Sequence, residues 1–270
     1  MHRIKAALGV VAAMTLATAL GETPAHAQAS VRHWVTTGDQ SLRLTEQPSF
    51  ALRRDTRDVP GITVAPDDRK QSIVGFGASI TDASAYLIQT RMTPPARDAL
   101  LRTLFGRDGD GLGFSFTRVT VGASDFSLDH YSLADAPDPS LAGFSTQRME
   151  EHVFPTVRAA LAINPDLKVM ASPWSAPGWM KTTGSLIQGT LKPEHYTTYA
   201  DYWLRYIRSA ADNGVPTHYL SIQNEPDFEP DSYPGMRWPA TQRAVFIGRH
   251  LGPALAEAGI DARILDWDHN

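Results

Sequence analysis

Cysteine is absent from the 270 residues, so no disulfide can staple the fold, and a chain of this kind must be held by its core alone. That excludes a small disulfide scaffold. An excess of basic charge is also missing. The formal net charge is −4, which gives no electrostatic reason to expect nucleic acid or an anionic membrane surface as a partner. Long apolar runs are lacking too: the longest, over residues 6–20, is shorter than the ~20 residues a membrane helix needs, so no transmembrane segment is expected. Several chemistries lack their motifs. There is no Gly-x-Ser-x-Gly elbow, and Gly75-Phe76-Gly77 lacks the third glycine of a dinucleotide loop. The nine histidines are scattered with no pair at helical metal-ligand spacing. No metal and no other cofactor is expected.

What is present reads as an exported globular protein. His2, Arg3 and Lys5 precede the apolar run, and Ala25-His26-Ala27 offers small residues where a signal peptidase cuts. Residues 1–27 are therefore predicted to be a signal peptide, and the mature protein to be secreted. Hydrophobic residues make up 42% and charged residues 20%, enough for a sizeable core. The 19 prolines and 20 glycines punctuate apolar segments, which points to many loops and not to disorder.

Residues 28–70 are predicted to hold short strands of a small β layer, from alternating pieces such as Val31-Arg32-His33-Trp34-Val35. From residue 71 onward, strands alternate with helices. Strands are predicted over 72–80, 113–121, 167–172, 218–223 and 262–267. Helices are predicted over 94–105, 146–163, 193–213 and 239–258. Thr93 and Pro94 are placed to start the first helix and Gly106 to end it, while Pro155 is expected to kink the second. In the third, Tyr196, Tyr199, Trp203, Tyr206 and Ile207 share one face and are assigned to the core. The alternation predicts an α/β fold with a parallel sheet covered by helices. It fits the N-terminal part of a (β/α)8 TIM barrel with about five strand–helix units, or an open five-stranded doubly wound sheet.

The strand ends carry the chemistry. The fourth strand stops at Gln223-Asn224-Glu225-Pro226, where proline terminates the pairing and leaves Glu225 at the carboxyl end as a candidate acid/base. Arg118 lies in the second strand, with Asp125 in the loop beyond it. Trp174 and Trp179 follow the third, and Asp266, Asp268 and His269 the fifth. Carboxylates and amides that hold hydroxyls, indoles that stack on C–H faces and an acid that cleaves an acetal are what a sugar site requires. Each has a plainer alternative: Trp174 as a loop plug, Arg118 in a structural ion pair, Asp125 as a turn residue.

Four segments together resemble glycoside hydrolase family 30, and most closely its glucosylceramidase-like members. They are 75–82 (GFGASITD), 171–181 (ASPWSAPGWMK), 223–226 (QNEP) and 264–270 (ILDWDHN), in that order. The resemblance implies a retaining β-glycosidase on a (β/α)8 barrel packed against a β-sandwich, with a β-glucoside or glucan as substrate. By position it makes Glu225 the general acid/base and Asn224 the amide on the sugar 2-hydroxyl. Asp125 and Trp174 would line the glucose subsite, Arg118 would lie close to the acid, and Tyr233 would fall in a flanking loop. The family's nucleophile is a second glutamate at the end of strand seven, and none of Glu194, Glu229 or Glu257 matches it. The resemblance therefore implies a chain incomplete in mid-barrel, inactive by itself. A β-1,6-glucan, a xylan or a non-catalytic sugar-binding role are the alternatives.

Overall fold

The computed structural model describes residues 30–52 and 61–269. The predicted signal peptide and residues 53–60 of the early β layer lie outside the described residues. The chain divides into two compact units, 1–69 and 70–270. In the first, β1 (Ser30–Val35) and β2 (Thr45–Ala51) pair antiparallel, with one register shift between Val31 and His33. Arg32 and Glu46 bridge the two strands at 2.7 Å on an exposed face.

The second unit is built on a five-stranded parallel sheet in sequential order: β3 (Ser79–Ile80), β4 (Phe116–Thr120), β5 (Lys168–Ser172), β6 (Tyr219–Ser221) and β7 (Arg263–Leu265). Sequential parallel strands with a helical run between neighbours are the barrel pattern, and they exclude the doubly wound alternative, whose strand order reverses. The register sorts the side chains by face. Ile80, Val119, Ala171, Leu220 and Ile264 align in one row within the hydrophobic core shared with the helices. The row before it, Ser79, Arg118, Met170, Tyr219 and Arg263, faces the other side. Arg118 is thereby placed on the inner face of the sheet.

The first predicted strand, 72–80, shrinks to Ser79–Ile80. Ile73, Val74 and Phe76 are exposed, so that stretch has apolar composition without a buried face. It is held instead by Phe76 O, which accepts from Ser115 N (2.9 Å) and Phe116 N (3.1 Å). The approach is so close that a Cβ on Gly77 would stand 1.5 Å from Phe116 O. Gly77→Ala is therefore expected to cost at least about 2 kcal/mol, read as a lowered urea midpoint at unchanged slope. An unaltered midpoint would show that the segment relaxes freely.

A helical segment not among the predicted helices follows β3 directly. Thr81 caps α1 (Asp82–Tyr86) in a reciprocal capping box with Ser84, and a wide turn, Leu87–Arg91, extends it. Next, α2 (Pro94–Phe105) runs as predicted, although the Thr93 side chain makes no cap bond. Gly106 closes it without a left-handed turn. Its φ is −67°, and it must be glycine because a Cβ would meet Arg102 O at 2.5 Å.

The helix expected over 146–163 is broken into α3 (Gln147–Glu151) and α4 (Val153–Ile163) at His152, whose φ is −137°. Pro155 explains this: it has no N–H for the carbonyl of Glu151 and its ring crowds that carbonyl. The aromatic helix α5 (Tyr196–Asp212) buries all five residues assigned to its core face, together with Tyr202. Gly214, at φ 72°, ends it in a Schellman turn, with Val215 N on Ala210 O and Gly214 N on Ala211 O, both 2.8 Å. The last helical run comprises α6 (Ala240–Phe246), a wide turn over Ile247–Leu251, and α7 (Gly252–Glu257). The turn is wide just before Pro253, which cannot donate to the preceding ladder. No helix among the described residues is long and apolar enough to cross a membrane.

Candidate active site

Four of the six residues to which the resemblance gives a role, Arg118, Trp174, Asn224 and Glu225, lie together at the carboxyl ends of β4, β5 and β6. Arg118 projects from the middle of β4 on the inner face, and its Nη2 donates to Asn224 Oδ1 (2.7 Å), Ser172 Oγ (3.0 Å) and Asp268 Oδ2 (2.5 Å). Ser172 Oγ also donates to Asp268 Oδ2, at 2.8 Å. The guanidinium lies 4.5 Å from the centre of the Trp174 ring, where the negative face of the indole favours a cation. Trp174 itself is almost buried, at 8% exposure. One of its faces is thus occupied by Arg118. The Arg118–Asp268 pair keeps about a fifth of each side chain exposed. It is the ion pair that the sequence left open for this arginine, and it lies inside the site.

Glu225 occupies the turn out of β6 at φ 46°, a left-handed conformation that costs a non-glycine residue about 1 kcal/mol or more. The surroundings over-determine it. Asn224 N donates to Pro173 O (2.8 Å), Glu225 N to Asp268 O (2.9 Å), Phe228 N to Glu225 O (2.9 Å) and Trp238 N to Pro226 O (2.7 Å). The peptide of Glu225 is therefore fixed by strand ends on both sides. Its carboxylate stays 32% exposed, with Oε1 3.8 Å from His269 Nε2.

The remaining two residues lie in the loops around this centre. Asp125 is exposed on a turn that the serines hold: Ser127 Oγ accepts from Ser124 N (2.9 Å) and Ser124 Oγ from Phe126 N (3.0 Å). Tyr233 follows β6, and its hydroxyl pKa is raised first by burial and then by the charges of Asp125 and Glu225. Among the described residues no group of three or more His, Cys, Asp or Glu is arranged to hold a metal.

Two strand-end residues prove to belong elsewhere. Asp266 turns away from the rim and binds Arg243 of α6, with Nε–Oδ1 at 2.7 Å and Nη2–Oδ2 at 3.2 Å. Arg243 is 2% exposed, so this pair docks helix on strand. Trp179 donates its Nε1 to Ala134 O at 2.9 Å and packs edge-on against His195, which ties loops together. Gln223, by contrast, was missed. It is fully buried and its Nε2 reaches Trp174 O (2.7 Å), Asn224 O (2.8 Å) and Met236 O (3.3 Å). An amide just past the end of a buried strand is the signal that could have marked it, because such a group must find partners.

The sequence matches the glycosyl hydrolase family 30 TIM-barrel domain over residues 73–270. The chain belongs to glycosyl hydrolase family 30. Among curated family members it is 35% identical over 220 residues to the endo-1,6-beta-D-glucanase neg1 of Aspergillus fumigatus, covering 74% of this chain and 44% of that protein. It is 31% identical over 218 residues to the lysosomal acid glucosylceramidase of Mus musculus, covering 77% and 42%. Among solved structures, the endo-beta1,6-glucanase BT3312 superposes with a TM-score of 0.75 at 32% identity, over 88% of this chain and 53% of that one. The chain thus spans about half the length of the family 30 relatives it matches.

Proposed function

We propose that this chain carries the acid/base half of a retaining β-glucosidic hydrolase site, with Glu225 as the proton donor. The observation that carries the proposal is the geometry at the end of β6: a partly exposed glutamate held in a left-handed turn beside an amide, Asn224, that is itself oriented by Arg118. In this scheme Glu225 protonates the glycosidic oxygen as the bond to the anomeric carbon breaks. It then takes a proton from the water that releases the sugar. Asn224 holds the 2-hydroxyl, and Asp125, Trp174 and Tyr233 form the walls of the glucose subsite.

Double displacement needs a second carboxylate about 5–5.5 Å from the first. Glu229 is committed to Gly189 N at 3.0 Å. Glu257 ends α7 at the opposite end of the strands, and Glu194 sits in the exposed turn before α5. The 270 residues alone are accordingly expected to bind a β-glucoside without hydrolysing it. Turnover of an aryl β-glucoside by the purified 270-residue chain, lost in Glu225→Gln, would contradict this.

Glucosylceramide is the first reading for the substrate, supported by the 31% identity to the lysosomal acid glucosylceramidase of Mus musculus, and a β-1,6-glucan is the second, favoured by the 35% and 32% identity to two endo-1,6-glucanases. Protein isolated from its native source, assayed on glucosylceramide, β-1,6-glucan and xylan, separates the two. Preference for glucosylceramide supports the first and for β-1,6-glucan the second, whereas activity on xylan alone refutes both.

A further inference from the structure

The most deeply buried charge in the second unit belongs to Lys181, and the scheme above gives it no part. Its side chain is fully buried. The ammonium donates to Ser175 Oγ (2.7 Å), Leu186 O (2.8 Å) and Gly235 O (2.9 Å), so each of its three protons has an acceptor. Burial pulls its pKa from 10.5 down to about 7, against the opposing pull of Glu229. By linkage, a lysine whose pKa is lower in the folded chain than in the unfolded one weakens the fold as pH drops from about 10.5 toward 7. A leucine or methionine there would avoid that cost, so the reason for a lysine lies in what it connects.

The three acceptors come from different stretches of two loops. Ser175 adjoins Trp174 in the loop after β5. Leu186 lies in the far arm of the same loop, whose two sides pair through Thr182 N on Thr190 O (2.9 Å) and Lys192 N on Met180 O (3.0 Å). Gly235 lies two residues beyond Tyr233 in the loop after β6. Other bonds cross the same seam: Gly235 N to Leu186 O (3.0 Å), Arg237 N to Gly189 O (2.9 Å) and Gly189 N to Glu229 Oε1 (3.0 Å). Among the described residues, Lys181 is the side chain whose hydrogen bonds reach all three segments at once. Below about pH 7, where the group is ionised, its bonds are roughly twice as strong as neutral ones.

We infer that Lys181 is a positioning residue that locks the loops after β5 and β6 into one wall of the sugar site, fixing the spacing between Trp174 and Tyr233. It acts through the loops and touches no substrate. The role in sugar binding rests on the function proposed above, whereas the locking does not.

Hydrogen exchange on the 270-residue chain tests the lock. Lys181→Met keeps the length of the side chain and removes the donors, leaving Gly235 O unpaired and Leu186 O and Ser175 Oγ with one partner fewer. Exchange at the amides of Gly189, Thr190, Gly235 and Arg237 is expected to quicken together, by roughly tenfold or more. Ser175→Ala, which removes one acceptor and is the safer variant for folding, is expected to quicken the same amides by a smaller factor. Calorimetric titration with an aryl β-glucoside, on the same samples, is expected to show binding weakened roughly tenfold in Lys181→Met. Unchanged exchange in both variants, or a change confined to one loop, overturns the lock. Faster exchange in both loops with unaltered glucoside affinity overturns the positioning role. If the unsubstituted chain binds no glucoside, the function proposed above fails, and the exchange data alone decide the lock.

Discussion

Glu225→Gln is expected to lower hydrolysis of an alkyl β-glucoside by roughly 10²–10⁴-fold in the protein isolated from its native source. The substitution keeps the shape of the side chain and the left-handed turn, whose four backbone hydrogen bonds do not involve the carboxylate. Folding stability should therefore hardly change, and glucoside binding should remain within a few-fold. What is lost is a transferable proton at the leaving oxygen, so the size of the loss depends on the leaving group. A dinitrophenolate departs without protonation. Its glucoside should consequently form the glycosyl intermediate at close to the normal rate, and the defect should move to the hydrolytic step, where a base is needed. A burst of dinitrophenol followed by a slow steady state is the expected signature. An equal loss on both substrates, with no burst, would mean that Glu225 is not the acid.

Asp268→Ala is expected to have the second-largest effect, on stability and on binding together. Its carboxylate is the anionic partner of Arg118, which also holds Asn224 and lies on Trp174. Removing it leaves a largely buried guanidinium with two neutral acceptors. Arg118 Nε is already without a hydrogen-bond partner among the described residues. Breaking a fully buried pair costs about 3–5 kcal/mol. With about a fifth of each side chain exposed here, a loss nearer to about 2 kcal/mol is expected. Urea unfolding of the chain measures it, and titration with a β-glucoside should show weaker binding as Asn224 loses its orientation. The double variant Arg118→Met with Asp268→Leu removes both charges and should recover much of the stability without recovering the binding. If the double variant is as unstable as the single one, packing at this position matters and the ion pair does not.

These expectations draw on two kinds of information. The β/α alternation, the aromatic face of α5 and the emergence of Glu225 from the end of a strand were all legible in the sequence. The physical reason is that each is local: periodicity sets which face is buried, and proline and glycine set where elements stop. Local rules failed where packing intervened. The apolar run before Ser79 looks like a strand but is tied to its neighbour only by scattered bonds at Phe76 and Ala78 among the described residues, with no continuous ladder. The capping box of Thr81 and Ser84 begins a helix directly at the end of a two-residue strand, where the hydrophobic period is too short to mark it.

By itself, the sequence determined the family and the barrel architecture, and it named the groups proposed to react, since motif order and hydrophobic period are written along the chain. Tertiary structure alone decided which of those groups share a site. Asp266 and Asp268 are two residues apart on one strand end, yet one docks Arg243 and the other holds Arg118. Lys181 and Gly235 are far apart in sequence and meet at 2.9 Å. Such choices depend on which side of the sheet a side chain faces and on which loops fold over it. Those are long-range contacts that no local pattern encodes.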